Sequence, residues 1–203
     1  MPRTSKQLEQ IKLKRKNKIL DTSLKLFAIK GYKAVSIDDI AKASGCAHSL
    51  IYHYFPSKEE VFRQVMRNIR SIMIELIDSV DYSKKPSECL HELLKKLFDS
   101  LKIKKPDMAA IIFLVLNLHL QDEVIPKPIN PDVEHRIWHV VLNLVKKGQQ
   151  SGEFYDGNPE EFTIAIVTML QGLATKAMNM DKEVFITPDP KIVMNMLLRK
   201  EQR

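Results

Sequence analysis

The chain is predicted to be all-α, with a short basic helical head ahead of a larger helical body. Apolar residues recur at spacings of three and four along most of it, no stretch alternates with a period of two over a useful length, and the helical runs are punctuated by glycine, proline and Ser-x-x-acid signals. At 203 residues there is room for one compact domain or for a small one fused to a larger. The division expected is a head over 1–56 and a body over 57–203.

In chain order, Leu20, Leu24, Phe27 and Ala28 mark one face of a first helix, and Gly31 stands where a left-handed cap would end it. Ser36 is a good N-cap for a second helix carrying Ile37, Ile40 and Ala41, and Asp39 completes a capping box with Asp in place of Glu. Gly45 stops that helix. A third is expected over Ala47–Tyr54, where Leu50, Ile51 and Tyr54 share a face. Pro56 breaks the chain, and Ser57 to Glu60 form a capping box opening a fourth helix with Phe62, Val65, Ile69, Ile72 and Leu76 on one stripe.

Pro86, Pro106 and the cluster Pro126, Pro128 and Pro131 divide the rest of the chain. Between them lie a leucine stripe, Leu90 to Leu101, and the nearly all-apolar Met108–Leu120, expected to be buried on every side. Val133, Ile137, Val140, Val141 and Leu144 line a helix that Gly148 is expected to stop. A polar loop over 149–158 leads through Pro159 to a helix with Phe162, Ala165, Ile166, Met169, Leu170 and Leu173. A short last helix is expected over 191–200.

Charge is the first clue to function. Up to Lys58 there are 12 Lys and Arg against 4 acids, a net of +8, whereas the remaining 145 residues net −1. So segregated a basic segment points to a polyanion, with nucleic acid ahead of an anionic membrane surface, or else to a face kept charged for solubility. The basic arm from Lys6 to Lys18 is either a phosphate-tracking arm or a frayed, solvated extension; it has no Trp or Phe with which to lie in a membrane. Two cysteines, Cys46 and Cys89, are too few for a disulfide scaffold or a four-cysteine zinc site. No apolar run reaches the ~20 residues of a membrane span, and no signal-peptide core is found near the start, so a cytoplasmic protein with no membrane partner is expected.

Two short helices joined at Gly45 and backed by a first helix make a helix-turn-helix, whose second member fits a major groove about 12 Å wide. The residues sharpen this. Ala28, Gly31 and Tyr32, the run Val35 to Ala41, Ala43-Ser44-Gly45, and above all Ile51-Tyr52-His53-Tyr54-Phe55-Pro56-Ser57-Lys58-Glu59-Glu60 resemble the DNA-binding domain of the TetR family of transcriptional regulators. The resemblance implies a ligand-responsive repressor that binds a palindromic DNA operator as a homodimer. The dimer would form through helices at about 133–150 and 160–180.

By matched position, Ser36 is implied to meet a phosphate. His48, Ser49 and Leu50 are implied to read base edges, Tyr52 and Tyr54 to reach phosphates or bases with His53 on their face, and Lys58 to contact a phosphate; Ile51 and Phe55 are implied to pack. Two departures bear on the operator: Ala47 replaces the usual hydroxylated N-cap, and Leu50, unable to donate a hydrogen bond, is suited to a thymine methyl. If the resemblance extends to the body, Phe98, Phe113, Asn117, Trp138 and Met169 are expected to wall a pocket for an unidentified small molecule, with Asn117 either orienting the ligand or bonding a neighbouring helix.

No GxSxG, GxxxxGK[ST] or GxGxxG is present, and no enzyme activity or cofactor is expected. His135 and His139 are spaced for a shared metal ion but lack a third ligand, so a surface or packed pair is the expectation and a metal is not. His91 and His119 are isolated and suit a core or pocket edge. Cys46 sits at the turn of the reader, where it is either oxidisable or an inert small apolar residue. The other reading kept open is a helical small-molecule-binding protein whose basic head meets RNA or an anionic surface.

Overall fold

The computed structural model describes residues 5–103, 107–117, 132–181 and 184–199. Nine helices and no strand occur among them, with one isolated antiparallel bridge between Phe154 and Leu198. The described residues form two compact units, one running to Ile69 and one from Arg70 on. The first unit thus continues beyond residue 56, because Val61, Phe62, Val65, Met66 and Ile69 of the fourth helix are buried within it.

That first unit holds α1 (Ser5–Ala34), α2 (Ile37–Ser44), α3 (His48–Tyr54) and the start of α4 (Lys58–Asp78). α1 is two helical pieces joined across a kink: Gly31, at φ 76°, ψ 160°, ends the first where the sequence expects a stop, and a short helical turn continues to Ala34. Beyond the break Tyr32 turns inward, where its ring lies 5.8 Å from Phe27 and 4.9 Å from Phe62, which themselves meet edge-to-face at 5.0 Å. Burial pushes the Tyr32 phenol up to about 12, and the neighbouring Glu59 carboxylate adds to the shift. The capping box of α4 is only half formed: the Glu60 amide donates to Ser57 Oγ at 3.3 Å, while the Glu60 carboxylate turns forward to accept from Gln64 at 3.2 Å.

The second unit holds the end of α4, α5 (Pro86–Ser100), α6 (Met108–Asn117), α7 (Asp132–Gln150), α8 (Pro159–Asn179) and α9 (Pro190–Leu197). The apolar segment is buried as expected as far as it is described: Met108 to Leu116 are all buried except the half-buried Phe113. α6 packs on α8, and α7 packs on α5, α6 and α8.

Two expected helix ends are displaced. α9 stops at Leu197, where the chain leaves the helix to lie beside residues 153–155: the Tyr155 amide donates to Leu197 O at 2.8 Å, and the Arg199 amide to Glu153 O at 3.1 Å. α7 runs through Gly148 to Gln150. Glu153 closes this corner. Its buried carboxylate accepts the Ser87 amide at 3.3 Å, the Ser87 hydroxyl, and the Ser151 hydroxyl at 2.6 Å. It therefore caps the N-terminus of α5, where Lys85 offers no side-chain cap. Burial alone would raise its pKa, but the hydrogen bonds from Ser151 and Ser87 outweigh it and hold the carboxylate below its usual range.

Candidate nucleic-acid interface

The geometry of the head starts from its two turns. Ser36 Oγ accepts the Asp39 amide at 3.1 Å, and the Asp39 carboxylate takes both the Ser36 amide at 2.9 Å and the Ser36 hydroxyl at 2.6 Å. Those bonds, from the hydroxyl first, hold Asp39 below the usual carboxylate range. Gly45, at φ 66°, ψ 33°, is in the left-handed conformation that ends α2. Its amide and that of Cys46 close on the carbonyls of Lys42 and Ala41 at 3.3 and 2.9 Å. Half-buried Cys46 lies in that turn.

The chain re-enters a helix at once. Ala47 caps α3 without a side-chain hydrogen bond, as its methyl requires. Fully buried Ile51 and Phe55 fasten α3 to the head. The opposite side then faces outward: His48, Ser49, Tyr52 and His53 are exposed, with Leu50 and Tyr54 half-buried at its edges. His48 stacks edge-on against Tyr52 at 5.0 Å, with its Nε2 3.3 Å from Asp38 Oδ1, and His53 stacks edge-on against Tyr54 at 5.4 Å. Six of the eight residues expected to meet DNA therefore share the short helix α3. Ser36 is exposed at the N-terminus of α2, though its hydroxyl and amide are already engaged by Asp39.

Lys58 sits differently. Its ammonium donates to the carbonyls of Val35 at 2.9 Å, Tyr32 at 3.1 Å and Lys33 at 3.5 Å, and lies 4.4 Å from the centre of the Tyr32 ring. An ammonium has three donors, so these acceptors use all of them. Those of Tyr32 and Lys33 are carbonyls that the end of α1 leaves without helical partners, and Val35 follows that end in the link to α2. Residue spacing carries no signal of this bond, because its acceptors are main-chain atoms more than twenty positions upstream.

A family model described as "Bacterial regulatory proteins, tetR family" matches residues 19–65, the same stretch that builds these turns and helices. Residues 19–65 are a TetR-family DNA-binding domain. It is 25% identical over 130 residues to IcaR of Staphylococcus epidermidis, named a biofilm operon HTH-type negative transcriptional regulator, covering 64% of each chain. It is 27% identical over 147 residues to the uncharacterized HTH-type transcriptional regulator YhgD of Bacillus subtilis, covering 72% of this chain and 75% of that one. The chain thus spans just under two thirds of the first relative's length. The solved structure of the ketosteroid transcriptional regulator KstR2 of Mycobacterium tuberculosis superposes with a TM-score of 0.67 at 17% identity, covering 92% of this chain and 96% of that one, a likeness of fold.

In the body the five residues expected around a ligand fall on four helices. Phe98 on α5 is buried in the core, whereas Phe113 on α6, Trp138 on α7 and Met169 on α8 are half-buried; the side chain of Asn117 lies outside the described residues. An open groove of about 720 Å³ lies elsewhere, between α5 and α9, with His91, Glu88, Lys191 and Met194 among its walls. His139 is exposed on α7, while His119 and the side chain of His135 lie outside the described residues. Among the described residues no helix is long and apolar enough to cross a membrane.

Proposed function

We propose that the protein is a DNA-binding transcriptional repressor that reads a near-palindromic operator as a homodimer and is released by a small molecule. The observation that carries this is α3: a seven-residue helix held from behind by Ile51 and Phe55, presenting His48, Ser49, Tyr52 and His53 to solvent on a head of strong positive charge. Short polar and aromatic side chains on a narrow exposed helix suit base edges in a major groove, while the surrounding cations hold the phosphates. In this reading His48, Ser49 and Leu50 set sequence preference, Tyr52, His53 and Tyr54 line the flanks, and Ser36 marks a phosphate beside α2. Lys58 acts from behind, fixing the end of α1 to the start of α4.

Two protomers would join through α7 and α8. The outward side of α8 supports this, since Ile164 is 54% exposed and Ala165, Thr168 and Gly172 lie along the same stripe. A Cβ added at Gly172 would meet nothing within 4 Å, so this face has room for a second helix. Two heads on a two-fold axis then meet half-sites about one helical turn apart. The ligand would sit among Phe98, Phe113, Asn117, Trp138 and Met169, and its coupling to DNA must be reciprocal.

The test is binding of the purified protein to duplex DNA from upstream of its own coding sequence, with single-stranded RNA and anionic vesicles as competitors. Saturable duplex binding by a dimer is expected, and preference for RNA or vesicles would replace this reading. Changing His48 or Ser49 should shift the preferred half-site, each wrong base pair costing about 1–3 kcal/mol. Any small molecule found to release the complex should bind more weakly, by the same factor, when operator is present; equal affinities would refute the coupling.

A further inference from the structure

Residues 5–18 precede the segment that the family model matches, yet they are helical, continuous with α1 and almost wholly exposed. They carry Lys6, Lys12, Lys14, Arg15, Lys16 and Lys18 against one acid, Glu9. Lys12 and Lys16, and likewise Lys14 and Lys18, stand four apart, and Arg15 falls between the two pairs, so cations wrap more than half of the helix surface. Like charges at that spacing repel and weaken an isolated helix. A polyanion laid along them would turn the repulsion into binding energy.

The base of this extension is placed beside the reader. Lys16 Nζ lies 5.8 Å from the centre of the Phe55 ring, at the end of α3. Lys18 Nζ would be 3.7 Å from a Cβ on Gly45, in the turn before α3. Two residues about half a turn apart on α1 thus reach both flanks of α3. From Lys18 back to Ser5 the helix extends about 20 Å, at a rise of 1.5 Å per residue. That length parallels roughly six base pairs of a duplex, which carries one phosphate charge every 1.7 Å.

We infer that the extension is a second DNA-binding element, resting on the repressor reading, and that it grips phosphates flanking the half-site read by α3. Its occupant is duplex DNA rather than a membrane. Leu8 and Ile11 are three apart, but Leu13 falls on another side, so no apolar stripe exists to enter a bilayer.

The experiment is a variant with Lys6, Lys12, Lys14 and Arg15 all changed to Gln, a residue that keeps helix propensity. Its affinity for the upstream duplex is measured across salt concentrations, with hydroxyl-radical footprinting. The plot of log affinity against log salt should be shallower by up to roughly 7, from four contacts on each of two protomers at ~0.9 per phosphate contact. Affinity at 0.15 M salt should fall by at least about tenfold, and protection should shorten at the outer edges with the preferred half-site unchanged. A salt slope and footprint equal to those of the wild type would overturn the inference while leaving the repressor reading intact. So would a loss confined to phosphatidylglycerol vesicles. Failure of the wild-type protein to bind duplex at all would remove both.

Discussion

Replacing Lys58 by Ala is expected to weaken binding to duplex DNA without changing how that binding depends on salt. The expectation comes from where the ammonium is. It donates to the carbonyls of Tyr32, Lys33 and Val35 and covers the Tyr32 ring, so its donors are spent inside the head. A lysine bound to a phosphate releases about one counterion, and its loss flattens the salt slope by ~0.9. A lysine that fastens one helix end to another releases none. Its loss lowers the population of heads with α3 correctly placed, which shifts the whole salt line in parallel. Losing charged hydrogen bonds to otherwise orphaned carbonyls should cost about 1–2 kcal/mol of stability, visible as a lower melting temperature. Lys58→Arg should recover only part, because a planar guanidinium directs its donors in a fork rather than towards three carbonyls around one nitrogen. A flattened slope with an unchanged melting temperature would return Lys58 to the phosphates.

The same residue marks the limit of what residue order discloses. Local features were legible: the Ser36–Asp39 capping box, the helix stop at Gly45 and the uncapped Ala47 each depend on neighbours within a few positions, while the inward Ile51 and Phe55 were legible through the family resemblance. The division into helices was legible from apolar spacing for the same reason. What was not legible were bonds whose partners are distant in the chain or belong to the main chain. Lys58 is one. Glu153 is another, since a carboxylate capping a helix that begins 67 residues earlier at Pro86 leaves no mark in either segment. The helical state of residues 5–18 was hidden too, because a highly charged stretch without apolar period reads equally as arm or helix.

Gly148 tests whether a glycine is there for its backbone or for its missing side chain. Near a helix end the two look alike in a sequence, and residue order alone points to helix termination. In the structure α7 passes through Gly148, and none of the positive-φ glycines is this one. A Cβ at this position would press on the Cδ2–Cε2 edge of the Phe154 ring, closer than side chains approach one another, with Phe154 Cγ only 2.8 Å away. Two effects then oppose each other in Gly148→Ala. Helix propensity favours Ala by about 1 kcal/mol, while forcing a methyl into a packed site costs about 1–3 kcal/mol, or more where neighbours cannot move. Phe154 cannot move easily. It is fully buried, its amide donates to Gly148 O at 3.0 Å, and its carbonyl accepts from Arg199 Nε at 3.1 Å. The clash should therefore win, lowering the melting temperature by several degrees, at about 2–4 °C per kcal/mol for a chain of this size. Phe154→Leu shrinks the obstructing ring, so the alanine should cost less in that background, and the double-mutant cycle should show favourable coupling. An alanine variant as stable as the wild type, or more so, would mean that the ring gives way and that Gly148 serves no packing purpose.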